Sequence, residues 1–116
     1  MTSSNPVQPD LQFDVLEHTA SGRLGVKIGG ELDLASMGEI EERLQKLAAE
    51  IDGALHMSCD LADLEFMDSS GLRLLLRWSV LAAERGGDFT ISACSRTVRR
   101  AIEVAGIGDA LALPAA

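Results

Sequence analysis

The sequence is poor in aromatic and in basic residues. It contains three Phe, one Trp and no Tyr, and its ten Lys and Arg stand against eighteen Asp and Glu, which gives a net charge of −8. Nucleic-acid phosphates require a basic patch, so this balance argues against a nucleic-acid partner. An acidic chain is better suited to a basic protein partner.

Cysteines and long apolar runs are also scarce. The two cysteines, Cys59 and Cys94, each lie in a strand-like apolar run, which is typical of buried small side chains rather than of metal ligands. No apolar run approaches the roughly 20 residues of a membrane-spanning helix, and no signal-peptide pattern opens the chain. We therefore expect a cytoplasmic protein that does not associate with membranes.

The motifs of several common chemistries are missing. His18 and His56 are isolated and no Cys-x-x-Cys pair exists, so a zinc site is not expected. Neither a Gly-x-x-x-x-Gly-Lys-Ser/Thr loop nor a Gly-x-Gly-x-x-Gly turn is present to hold a nucleotide. A hydrolase would need a Gly-x-Ser-x-Gly elbow, which is absent, and a histidine base, and neither histidine is identifiably placed to serve as one. We expect no catalytic residue, no metal and no cofactor, and hence no enzyme.

The overall length and apolar content predict one globular domain. With 116 residues and a hydrophobic fraction of 47%, the chain is large enough to bury a core of its own. Residues 1–9 contain two prolines and several small polar residues, which predicts a flexible tail. Residues 10–116 are then the domain.

Apolar and polar residues alternate in four segments, which is the period of a β-strand. These segments are residues 11–15, 24–28, 55–61 and 89–93. The first two flank a turn at Ser21-Gly22 and predict an antiparallel hairpin, with Gly29-Gly30 ending the second strand. Each strand has a single apolar face, which predicts helices packed on one side of the sheet and an open face on the other.

Three segments between and after the strands have helical spacing. In the first, apolar residues recur at three and four positions from Met37 to Ile51, with Ser36 and Glu39 as a capping box and Gly53 as the end. A second helix is predicted over 70–85 and a third from the cap Ser95 to residue 105, before a short element at 111–113. The order β-β-α-β-α-β-α requires right-handed crossovers and parallel strands. The predicted fold class is therefore α/β, a mixed four- to five-stranded sheet with helices on one face.

The most informative stretch is Phe66-Met67-Asp68-Ser69-Ser70-Gly71-Leu72, at the junction of a strand-like and a helical run. Asp68, Ser69 and Ser70 are residue types that cap helices. A helix start carries unpaired N–H groups and a partial positive charge, so an exposed hydroxyl there would tolerate a phosphate. A helix cap without further function is the simpler interpretation.

Asp68 itself could accept a phosphoryl group, as in response-regulator receivers. That chemistry needs a lysine and an acidic pocket for Mg²⁺, to which Asp60 and Asp63 are candidates. The two lysines of the chain, Lys27 and Lys46, are expected on the open sheet face and on a helix surface. The cap role of Asp68 is therefore the better interpretation.

The segment from residue 60 to 72, Asp-Leu-Ala-Asp-Leu-Glu-Phe-Met-Asp-Ser-Ser-Gly-Leu, resembles the signature of STAS domains, and in particular that of bacterial anti-sigma factor antagonists. Gly30-Glu31-Leu32-Asp33 and the stretches 86–89 and 98–107 are similar to further parts of the family pattern. The resemblance implies a mixed sheet with helices on one face. In that family the first serine after the aspartate is phosphorylated by an anti-sigma factor that is also a kinase. That serine is Ser69 here, and the residues alone leave Ser70 open as the acceptor.

The resemblance also implies a partner-binding edge and a set of partners. The edge comprises Glu31, Asp33, Asp68, Ser69, Ser70, Gly71 and Leu72. The expected partners are an anti-sigma factor with serine kinase activity and a phosphatase that resets the switch, and the protein itself is expected to be a monomer or small homo-oligomer. Two other functions stay open: a STAS regulatory subunit of a transporter ATPase, for instance in bacterial phospholipid traffic, and a scaffold component of a stress-signalling complex.

Overall fold

The computed structural model describes residues 11–114, so the predicted tail over residues 1–9 lies outside the described residues. Within them the chain forms five strands and three helices. These are β1 (Leu11–His18), β2 (Arg23–Leu32), α1 (Leu34–Ala49), β3 (His56–Leu61), β4 (Leu64–Met67), α2 (Ser69–Glu84), β5 (Asp88–Cys94) and α3 (Arg96–Ala105). The short strand β4 is an addition to the predicted order. The segment at 111–113 forms neither helix nor strand, although Leu111 is buried in the core.

The strands form one mixed sheet, which confirms the predicted fold class. β1 pairs antiparallel with β2, and the parallel pairs β2–β3 and β3–β5 follow from the crossover helices. The long strand β2 has two parallel neighbours on the same edge: its first half pairs with β3 and its last three residues lie along β4. The chain therefore reaches α2 through β4, beside the end of β2.

The prediction that Gly29-Gly30 ends the second strand is wrong, because β2 continues to Leu32. A Cβ atom on Gly29 would lie 2.8 Å from the Gln12 side chain and 3.3 Å from the Asp63 Cβ. Gly30 has a φ of +84°, and the register between β2 and β4 shifts directly after it. The two glycines therefore permit a close approach and a bulge inside the strand.

One face of the sheet is buried beneath the helices and the other is open. In β3, Met57, Cys59 and Leu61 are buried and alternate with partly exposed polar side chains. The helices contribute Ile40 and Leu44 from α1, Leu74, Leu75 and Trp78 from α2, and Val98 and Ile102 from α3 to the same core. Burial raises the pKa of the Cys59 thiol to about 12, so the thiol stays protonated and acts as a small core side chain. No helix within residues 11–114 is both long and apolar enough to cross a bilayer.

The N-terminus of α1 differs from its predicted form. Asp33 is the N-cap, and its Oδ1 accepts the Ser36 N–H at 3.0 Å while the Asp33 N–H donates to Ser36 Oγ at 3.0 Å. The capping box therefore joins Asp33 to Ser36, not Ser36 to Glu39, and α1 begins at Leu34, three residues before the predicted first helical residue Met37. The helix also ends before Gly53, at the C-cap Glu50.

Arg85 joins the end of α2 to the end of α1. Its guanidinium donates to the carbonyl oxygens of Gly53 at 3.0 Å and Ala48 at 3.1 Å, and also to that of Ile51. The three acceptors lie in the last turn of α1 and in the loop that follows it, so this arginine fixes the end of α2 against the chain that leaves α1. The sequence placed Arg85 at the end of the second helix but did not predict these contacts with the end of the first.

Glu41 links α1 to α2 through the only tryptophan of the chain. Its Oε1 accepts hydrogen bonds from Trp78 Nε1 at 2.9 Å and Arg77 Nη2 at 2.6 Å, and its Oε2 accepts one from Gln45 at 2.7 Å. Burial acts to raise the pKa of this carboxyl, but the hydrogen bonds from Trp78, Arg77 and Gln45 together outweigh burial and lower the pKa below its ordinary value.

Glu41→Gln is therefore expected to lower the free energy of unfolding by about 1–2 kcal/mol at neutral pH, because charged acceptors form the stronger hydrogen bonds. A group with a lowered pKa stabilises the fold above its unfolded-state pKa, and this stabilisation disappears as the pH falls through the folded-state pKa. The difference between wild type and variant should accordingly shrink below about pH 4. Urea unfolding followed by Trp78 fluorescence measures it.

The matched control for Glu41→Gln is Glu42→Gln, since Glu42 is the exposed neighbour of Glu41 and pairs with Lys46 at 3.7 Å. Loss of such a surface pair is expected to change stability by less than about 0.5 kcal/mol. Equal effects of the two substitutions, or a difference independent of pH, would contradict the role assigned to Glu41.

Candidate functional site

The turn between β4 and α2 positions Asp68 as the N-cap of α2. The residue has an extended backbone, and its Oδ1 accepts the N–H groups of Ser70 at 2.9 Å and Gly71 at 3.2 Å. The helix therefore begins at Ser69, one residue before its predicted start. Two of the N–H groups that a helix start leaves open are satisfied by this one oxygen.

Asp68 also holds two loops side by side. Its Oδ2 accepts the Leu34 N–H at 3.2 Å, and its backbone N–H donates to the Leu32 carbonyl at 3.3 Å. Leu34 is the first residue of α1 and directly follows the cap Asp33. The loop that carries Glu31 and Asp33 is thereby joined to the loop that carries the serines, although the two are far apart in the sequence.

The two adjacent serines are in different environments. Ser69 is exposed as the first residue of α2, whereas Ser70 is only 5% exposed. Within residues 11–114, Ser69 is therefore the one of the two serines that faces solvent. The sequence could not show that Ser70 is the buried serine, because the two side chains are chemically identical and differ only in the direction in which they leave the helix.

Gly71 and Leu72 fix the start of α2 against the sheet. A Cβ atom on Gly71 would lie 2.5 Å from Met67 Cγ and 2.8 Å from the Leu32 carbonyl oxygen, so the helix backbone packs directly on the end of β2. Leu72 is partly buried and packs against the core. Both residues were predicted to contact the partner, and the structure gives Gly71 a packing role because it is buried.

Two large apolar side chains near this turn are uncovered, and sequence reasoning missed both. Leu34 is 69% exposed and Phe66 is 47% exposed. Leu34 is the first residue of α1 and lies off the helix face that buries Ser36, Ile40 and Leu44. Phe66 lies in β4 opposite Glu31, next to the buried Met67.

The acidic residues considered for Mg²⁺ have other partners. Asp60 Oδ1 accepts the Ala62 N–H at 2.9 Å, and Asp63 pairs with Lys27 at 2.9 Å, an interaction that raises the pKa of the Lys27 amine. In the part of the chain that the structure describes, no group of three or more His, Cys, Asp and Glu side chains is placed to hold a metal ion. The turn thus presents an exposed serine at a capped helix start.

Comparison with known proteins identifies the family of this chain. A family model described as "Mlab, STAS domain" matches residues 16–114. A crystal structure of an anti-sigma factor antagonist from Mycobacterium paratuberculosis is similar with a TM-score of 0.71 and 26% identity, covering 88% of this chain and 84% of that one.

Two curated proteins give a similar result. The anti-sigma F factor antagonist of Paenibacillus polymyxa is 29% identical over 102 residues, which is 84% of this chain and 81% of that protein. The anti-sigma-B factor antagonist of Staphylococcus epidermidis is 31% identical over 84 residues, or 72% of this chain and 76% of that protein. The chain belongs to the STAS domain family, among the anti-sigma factor antagonists.

Proposed function

We propose that this protein binds an anti-sigma factor that is also a serine kinase, and that phosphorylation of Ser69 ends this binding. The observation that supports the proposal best is the exposure of Ser69 at the start of α2 beside the buried Ser70. When unmodified, the protein occupies the anti-sigma factor, and the sigma factor is free to direct transcription. The protein performs no catalysis of its own in this scheme.

The proposed docking edge combines apolar and charged groups. Leu34 and Phe66 supply the exposed apolar area near the turn, and Glu31, Asp33 and Asp68 supply carboxylates. Apolar anchors surrounded by polar groups are the usual composition of a protein interface. The carboxylates favour a partner with a basic surface, because complementary charges speed association and fix its orientation.

The phosphoryl transfer needs chemistry that the partner supplies. The kinase brings ATP, Mg²⁺ and a catalytic base, which places the switch in the cytoplasm. Ser69 Oγ attacks the γ-phosphorus of ATP, the bond from that phosphorus to the bridging oxygen of ADP breaks, and the hydroxyl proton passes to the kinase's base. A phosphatase returns the protein to its active form by hydrolysing the phosphoserine.

Electrostatics at the start of α2 support the proposed release. A phosphate adds about −1.5 to −2 charges next to the Asp68 carboxylate. The N–H groups of Ser70 and Gly71, which would otherwise bind an anion at the helix start, already donate to Asp68. The phosphate charge is therefore left facing the partner, where it opposes docking by charge and size, with little change in the fold.

Phosphorylation assays on three proteins test the proposal. With the cognate kinase and radiolabelled ATP, wild type and Ser70→Ala are expected to incorporate label, whereas Ser69→Ala is expected to incorporate none. Ser70→Ala is the matched control, because it removes the neighbouring hydroxyl from the same helix turn. Unchanged circular dichroism shows that each variant is folded.

Label that persists in Ser69→Ala would contradict the assigned acceptor. A stable complex with a transporter ATPase, formed without any labelling of Ser69, would instead support the transporter subunit. A large heterogeneous assembly in light scattering would support the scaffold component.

A further inference from the structure

A second exposed surface lies between the start of α2 and the outward side of α3, separate from the Ser69 hydroxyl. It is a groove of about 560 Å³ with an almost entirely apolar lining. The residues that line it include Leu72, Arg96, Arg100, Ala101, Val104 and Ala105. At 79% exposure, Val104 is the most exposed large apolar side chain in residues 11–114.

The groove is not required to hold α3 in place. Val98 and Ile102, on the inward side of the helix, are fully buried and pack in the core. Ser95 caps the helix by accepting the Val98 N–H, and its hydroxyl donates to the Leu64 carbonyl at 2.6 Å. The exposed position of Val104 therefore lies outside the contacts that fix the helix.

The charges beside the groove are unfavourable within the chain. Arg96 and Arg100 are exposed, lie one helical turn apart, and have no ion pair to any residue in the described range, whereas the neighbouring Arg99 pairs with Glu103. Like charges at this spacing repel each other, and cations in the first turn oppose the helix dipole. The chain has eighteen acidic residues, yet the first turn of α3 contains none.

We propose that this groove is a second docking surface for the anti-sigma factor and receives an acidic amphipathic segment of it. An apolar ridge would fill the groove between Leu72 and Val104, and flanking carboxylates would pair with Arg96 and Arg100. Leu72 belongs both to this groove and to the predicted partner-binding edge, so one partner reaches both surfaces. The inference rests on the proposed function, because the occupant is the same partner.

Binding of the cognate anti-sigma factor by isothermal titration calorimetry tests the groove. Val104→Glu and the double variant Arg96→Glu/Arg100→Glu are each expected to weaken binding about tenfold or more, because each places negative charge against an acidic segment. Affinity of the wild type should fall with added salt, and that of the double variant should change less. The matched control is Val80→Glu, since Val80 is 54% exposed on α2 and outside the groove, and it should stay within about twofold of wild type.

Different results would contradict the groove proposal and the proposed Ser69 switch. Groove variants that bind like wild type, while Ser69→Asp weakens binding, would overturn the groove alone. A wild-type protein that does not bind the anti-sigma factor at all would overturn both. Binding of the protein to vesicles of anionic phospholipid, with loss of this binding in the arginine double variant, would instead identify the groove as a membrane-binding surface. A wild-type dimer that Val104→Glu dissociates would identify the groove as an interface with a second copy of the chain. Either result would overturn the proposal.

Discussion

Replacing Ser69 by aspartate is expected to weaken binding to the cognate anti-sigma factor more than about a hundredfold, which corresponds to about 3 kcal/mol. The added carboxylate lies beside Asp68, whose own oxygens are held by the N–H groups of Ser70, Gly71 and Leu34. No further N–H group of these three residues remains to neutralise it, so the charge is presented to the docked partner. Surface plasmon resonance with the immobilised anti-sigma factor measures the change.

Two control variants separate charge from size and from position. Ser69→Asn has nearly the shape of Ser69→Asp without its charge, and it is expected to bind much closer to wild type. Ser21→Asp adds the same charge in the exposed turn between β1 and β2, at the opposite end of β2, and should have little effect. An acidic residue is favourable in the first turn of a helix, so Ser69→Asp should not unfold the protein. Unchanged affinity in Ser69→Asp would remove the charge mechanism, and equal loss in Ser69→Asn would replace it by a steric one.

Gly87→Ala is expected to lower the free energy of unfolding by about 3 kcal/mol, the upper part of the range for overpacked sites. A Cβ atom on Gly87 would lie 1.9 Å from the Leu55 carbonyl oxygen, which is a backbone atom and cannot turn aside. The same carbonyl accepts the Asp88 N–H at 3.1 Å, so movement of the chain here also disturbs the start of β5. Urea unfolding followed by the fluorescence of the buried Trp78 measures the loss.

The adjacent Gly86 is the matched control, because its backbone conformation, not a close contact, favours glycine at this position. It has a φ of +79°, but nothing lies within 4 Å of the Cβ that alanine would add. Gly86→Ala should therefore cost only the strain of a left-handed backbone, about 1–2 kcal/mol. A cost for Gly87→Ala no greater than that for Gly86→Ala would show that the chain relaxes around the added atom.

Much of the fold followed from periodicity, because the alternation in β3 and β5 is a direct consequence of burying one face of the sheet. Met57, Cys59 and Leu61 point into the core, and their polar neighbours point away, as the pattern predicted. The pattern failed where a residue serves a contact that is distant in sequence. Gly29 and Gly30 resemble a strand end, but they permit the approach of Asp63 and the bulge opposite β4.

The sequence predicted the motif of the candidate site and an exposed hydroxyl at the helix start, but the residues alone left open which of the two serines carries it. Asp68 was expected to cap α2 and does so, and the family pattern pointed to Ser69 as the acceptor. Which serine is accessible depends on the direction of each side chain from the first turn of α2, relative to the end of β2. The uncovered positions of Leu34 and Phe66 depend on the same packing, since apolar residues in strands and helices are ordinarily expected to be buried.

The sequence by itself determined the three helices, four of the five strands, their order and the chemistry of the turn, because hydrophobic spacing and capping side chains act over a few residues. Tertiary structure alone decided that Asp68 reaches the Leu34 N–H across two loops, that Arg85 joins the end of α2 to the end of α1, and that Ser70 is buried while Ser69 is exposed. These contacts join residues far apart in the chain. Their geometry exists only after the strands have paired and the helices have packed on one face of the sheet.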